Sequence, residues 1–239
     1  MPTFPEPPFV LFGTDHVVVL VLTVVTLVVL IGIGRRLGPE SRSARWSKGV
    51  IAWTLLLSYP MKVLIYWMTG TDMLDNALPM HFCNWAAVIG FVALWYGKAL
   101  PGELLYFWGL AGTLQAVLTP NIPYGFPHPV FIIFFLIHSG VVVAACFLVA
   151  GLRQHPRPGA PWRCFLWAQV YLVVASLVNW TTGSNYGFLA RKPEQASLLD
   201  HLGNWPYYIV SLEVLCLILF FLLNLPFMKA QRRTAVEEA

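Results

Sequence analysis

Charge is what this sequence lacks most. Only 11% of its 239 residues are Asp, Glu, Lys or Arg, against roughly 25% in a soluble domain. A water-facing surface of ordinary composition is therefore out of reach. Cysteines number four, Cys83, Cys146, Cys164 and Cys216, with no CxxC pair, and they lie in or beside apolar runs. That argues against a disulfide framework or a zinc site, so neither a metal nor a cofactor is expected. The first ten residues, MPTFPEPPFV, lack the basic n-region of a secretory signal. The formal charge of +4 comes from Lys and Arg scattered through short segments without interleaved aromatics, a pattern that disfavours a nucleic-acid partner.

Apolar side chains are what the sequence has in excess, at 58%. Leaving that surface in water is unfavourable in proportion to its area, and a bilayer removes the cost. About 20 apolar residues span the hydrocarbon core as a helix. Runs of that kind lie near 14–34, 46–68, 80–97, 102–119, 128–151, 161–181 and 204–228. The third and fourth are short and meet at the Lys98–Pro101 break. Backbone groups in lipid must be satisfied internally, so these runs predict helices. The expected fold is all-α, a single integral membrane domain of seven transmembrane helices over 1–239.

The basic residues then set the orientation. The first, third and fifth intervening segments and the tail hold Arg35, Arg36, Arg42, Arg45, Lys48, Lys98, Arg153, Arg157, Arg163, Lys229, Arg232 and Arg233. The other segments hold only Arg191 and Lys192, and Lys62 falls inside a run. Twelve against two predicts a cytoplasmic C-terminus and an N-terminus outside.

Polar residues inside the spans are costly, and each is a candidate for function. These are Lys62, Cys83, Gln115, His138, Asn179 and Glu213, with His81 and Asn84 flanking Cys83. Counted inward at the helical rise, all fall in the outer half of the bilayer, which suggests one polar cavity open outward. By that count His138 lies about two turns deeper than Cys83. A nucleophilic cysteine needs a base and donors for an oxyanion. Cys83 with His138 meets the first need, and Asn84, Gln115 or Asn179 the second. Plainer roles compete: a Lys62–Glu213 ion pair between helices, interhelical hydrogen bonds from Asn179 and Gln115, and packing for Cys146, Cys164 and Cys216.

Five stretches carry a resemblance: LPMHFCNW (78–85), LLYFWGLAGTLQAVLTP (104–120), FPHPVFIIFFLIHSG (126–140), NWTTGSNYGFLARKP (179–193) and SLLDHLGNWPYYIVSLE (197–213). Together they resemble the YwaF-like family of bacterial integral membrane proteins, and they cover most of the chain from residue 78 onward. The resemblance implies a multi-pass protein of the bacterial cytoplasmic membrane. That family is distantly similar to a eukaryotic multi-span acyltransferase acting on lyso-ether phospholipids, in which a membrane-embedded Cys is followed two helices later by a His. Cys83 and His138 match that layout, which implies transfer of an acyl chain among membrane phospholipids or lysophospholipids through a thioester. Asn185 and Tyr186 would face the headgroup, and Lys62 would meet Glu213 or a phosphate. The alternative is a non-enzymatic transporter or lipid-binding protein using Lys62, His138 and Glu213.

Overall fold

A computed structural model describes residues 4–71, 73–76, 78–193, 198–229 and 231. Asp72, in the second intervening segment, and Arg232 and Arg233, counted above toward the basic end, lie outside the described residues. The helices are α1 (Thr14–Leu37), α2 (Arg42–Thr69), α3 (Phe82–Tyr96), α4 (Ala99–Trp108), α5 (Leu114–Leu118), α6 (Pro129–Cys146), α7 (Ala160–Thr182) and α8 (Tyr207–Asn224). A π turn at Gly109–Thr113 joins α4 to α5, and a second, Phe147–Gly151, extends α6. The described residues thus form seven rods whose limits fall close to the seven predicted runs.

Five of the rods are long and apolar enough to cross a membrane; α3, at 15 residues, is shorter. Its brevity matters below. α1 is rich in Val, a weak helix former in water, and Val17, Val21, Val24, Val25 and Val28 are exposed along it. An apolar face of that size suits lipid. α6 is apolar all round and the most enclosed of the long helices, as a central helix must be.

The rods alternate in direction, so the connections collect at two ends. At the basic end Arg35 Nε donates to Ala150 O at 2.9 Å and Gln231 Nε2 to Pro156 O at 2.8 Å. Glu103 is buried there between Arg157 and Arg163, each 2.8 Å from Oε1. Its carboxylate holds the Arg157 guanidinium above its ordinary range. α1 lies directly on the second π turn: a Cβ on Gly34 would meet Gly151 O at 2.6 Å. At the opposite end the N-terminal segment pairs with the segment before α6, Phe9 N donating to Pro123 O at 3.0 Å and Gly125 N to Pro7 O at 2.7 Å.

Candidate functional site

At that opposite end α3 begins beneath a cover. Fifteen residues rise only ~22 Å, against a hydrocarbon core of ~30 Å, and the Lys98 turn holds the far end of the helix. The first residues of α3 therefore sit below the ends of the longer rods. The described residues between α2 and α3 fill the gap, and residues 183–193 after α7 fold across it. Tyr186, buried, ties the two together: its hydroxyl donates to Leu74 O and accepts from Leu78 N, both at 3.0 Å. Asp75 accepts from Asn185 N at 2.6 Å and pairs with Arg191 at 2.9 Å. Gly187 takes φ +66°, and a Cβ there would collide with the Tyr171 hydroxyl.

Cys83 lies in the first turn of α3, whose N-terminus has no side-chain cap. The recess lowers this turn to the level of His138 on α6, and the two-turn gap expected from residue counting closes. The thiol lies within electrostatic reach of the His138 ring, whose Nδ1 is itself bonded to Phe134 O at 2.7 Å. A carbonyl only accepts, so Nδ1 carries the proton and Nε2 of the neutral ring is left with a free lone pair. His138 is 7% exposed and stacks on Phe134 with centroids 3.9 Å apart, which fixes the ring plane.

Two other histidines, His81 and His16, differ on this point. His81 Nε2 donates to Asp75 O at 2.8 Å and its Nδ1 accepts from Gly187 N at 3.4 Å. His16 Nε2 donates to Val117 O at 2.9 Å and its Nδ1 accepts from Phe12 N at 3.1 Å. Both rings spend both nitrogens on backbone and act as struts. His138 has one nitrogen left over.

Lys62 comes from α2. It is buried, its ammonium lies 5.1 Å from the Tyr66 ring centroid, and it is within electrostatic reach of Cys83. Among the described residues it forms no ion pair. The Tyr66 and Tyr171 hydroxyls also lie within electrostatic reach of the thiol. Next to Cys83 in the sequence, Asn84 is buried and its Nδ2 has no hydrogen-bond partner among the described residues; the same holds for Thr113 Oγ1 on the first π turn. Buried polar atoms are rarely left so. Around Cys83 there are thus a base, a cation and an unspent donor, and among the described residues no carboxylate pairs with Lys62.

Other expected members have different duties. Asn179 donates through Nδ2 to Tyr186 O at 2.9 Å and accepts Tyr186 N at 2.7 Å, so its amide is fully engaged in clamping the covering segment. Asn185 accepts from Ala190 N and Arg191 N and donates to Arg191 O at 2.9 Å, stapling its own loop. Asn185 and Tyr186 therefore turn inward on the fold and do not face outward. Glu213 on α8 is hydrogen-bonded to Gln169 on α7 and does not pair with Lys62. Gln115, in α5, is half-buried. The outer segments fold over the start of α3, where Lys62, Asn84 and His138 are buried and Cys83 keeps part of its surface exposed. Cavities of about 640 and 170 Å³ lie at the basic end. Sequence reasoning passed over Tyr66, Tyr171 and Thr113, since residues of these types are common in any apolar helix.

No curated protein and no solved structure matches the chain. The profile of one family does, over residues 11–224, a stretch that takes in every helix from α1 to α8. This chain belongs to the TMEM164 family, a family of membrane proteins.

Proposed function

We propose that this protein is an intramembrane lipid acyltransferase with Cys83 as nucleophile and His138 as base. In this reading all seven rods cross the membrane and the basic end faces the cytoplasm. The twelve-to-two division of basic residues supports that orientation, and the YwaF-like motifs favour a bacterial cytoplasmic membrane.

Cys83 Sγ attacks the ester carbonyl of a phospholipid while His138 Nε2 takes the thiol proton. Asn84 Nδ2 and the Lys62 ammonium meet the oxyanion that develops. Collapse breaks the ester C–O bond, and the imidazolium returns its proton to the departing lysolipid oxygen. The hydroxyl of a lysophospholipid acceptor then attacks the thioester. His138 takes that proton and delivers it to the leaving thiolate. Donor and acceptor supply every atom consumed.

The observation that carries this reading is the asymmetric use of His138, with Nδ1–H tied to Phe134 O, Nε2 left over, and Cys83 within electrostatic reach of the ring. The rival transporter reading needs Lys62, His138 and Glu213 to share one site, and Glu213 is engaged elsewhere. The test uses full-length protein carrying Cys146→Ala, Cys164→Ala and Cys216→Ala, given a phospholipid donor without acceptor. We expect a hydroxylamine-labile acyl group on the Cys83 peptide, and at least a hundredfold loss of transfer in Cys83→Ala and in His138→Ala, the scale of general base catalysis. Unchanged lipid turnover in Cys83→Ala would overturn the assignment.

A further inference from the structure

A trough of about 640 Å³ lies at the basic end, between the start of α2 and the end of α3, a volume within the range of ligand sites. Its α2 wall is one helical stripe, Arg42, Trp46, Gly49 and Trp53, with Arg45 beside it, and Trp95 of α3 stands opposite. Trp53 meets Trp95 edge-on at 5.5 Å and Phe91 at 5.4 Å, so the aromatic side is rigid. Gly49 opens the floor: a Cβ there would find the Trp95 ring as its nearest neighbour, at 3.9 Å. The two guanidiniums stand at the mouth. Neither forms an ion pair among the described residues, the first turn of α2 has no acidic residue, and Glu40, two residues earlier, pairs with neither.

We infer that this trough binds an anionic phospholipid from the leaflet on the basic side, its phosphate between Arg42 and Arg45 and its glycerol and first acyl carbons along the indoles. The polarity gradient of the trough matches that of such a lipid end to end. Indole rings sit at this level of a bilayer, and basic pockets between helices select acidic headgroups. A zwitterionic headgroup would find no carboxylate in the lining for its cation. A free phosphate would leave the indole wall unused. The site is independent of Cys83 and of the transfer reaction proposed for it.

The test is native mass spectrometry of the full chain in micelles holding equimolar phosphatidylglycerol and phosphatidylcholine. Wild type should retain phosphatidylglycerol at least fivefold over phosphatidylcholine. Arg42→Gln with Arg45→Gln should bring that ratio within twofold of unity. Gly49→Phe fills the floor and keeps both charges, and should lower phosphatidylglycerol retention at least fivefold. Arg36→Gln with Lys98→Gln removes the same charge from the same end and should leave the ratio unchanged. Equal retention of both lipids by wild type, or equal loss in the Arg36/Lys98 control, overturns the proposal. Displacement of the lipid by glycerol phosphate would assign the site to a free phosphate and overturn it too.

Discussion

Replacing Lys62 by Met should make the fold more stable and the protein less active. The two side chains have similar volume, so the substitution chiefly removes a charge. That charge is only 6% exposed, and its compensation among the described residues is the Tyr66 ring face at 5.1 Å and the nearby thiol. A buried ion carries an effective desolvation penalty of several kcal/mol, and a desolvated cation–π contact returns about 2 kcal/mol. The balance favours Met by about 1–3 kcal/mol. At ~2–4 °C per kcal/mol for a chain of this size, the thermal midpoint in detergent should rise by about 2–12 °C. Transfer should fall by roughly 10–100-fold, since one favourable charge contact at the oxyanion is worth about 1.4–2.7 kcal/mol. Differential scanning fluorimetry reads the first quantity and acyl transfer to a lysolipid the second. A midpoint lowered by several degrees with transfer intact would refute the reasoning and make Lys62 a structural cation.

Two further substitutions separate scaffold from chemistry. Glu103→Gln removes a buried carboxylate that accepts from Arg157 and Arg163; because both arginines are at least one-third exposed and turn to water, the loss should be about 2–3 kcal/mol, read as a lower midpoint in urea. Asn179→Ala strips partners from Tyr186 N and O and should cost about 2–4 kcal/mol for two orphaned backbone groups, with amide exchange accelerating across 183–190 and little change near Glu103.

The rods were legible because lipid leaves a long apolar run no alternative to a helix, and the breaks were legible as clusters of Pro, Gly and charge. Cys83 and His138 stood out for the same reason, as polar groups where polarity is expensive. Asn179 kept two readings because an amide near a helix end has one appearance in sequence, whether it polarises a carbonyl or only makes structural hydrogen bonds. Only the return of the chain at Tyr186 decides between them. Glu103 escaped notice because it lies beside the short turn at Lys98, where a carboxylate looks solvated; its burial depends on Arg157 and Arg163, more than fifty residues later. The trough at Trp46 and Trp95 was invisible as well. Each tryptophan alone is an ordinary interface residue, and their meeting depends on how α2 and α3 cross.

The recess of α3 is the feature from which the site's other properties descend. Had α3 spanned the full thickness, its first turn would lie level with the longer rods, and Cys83 would meet water while His138 lay two turns below. Shortening the helix moves the first turn down by about 8 Å, the difference between its rise and the hydrocarbon thickness. The same displacement creates a gap beside it, and the described residues between α2 and α3 that fill it are irregular backbone in need of partners. Tyr186 and Asp75 supply them, which is why the covering segment lies where it does. Burial of Lys62 and His138 beneath it strengthens the charge contacts they make. In the proposed transfer reaction the phospholipid ester sits just beneath its headgroup, and a nucleophile lowered by this amount would meet the carbonyl at its own depth.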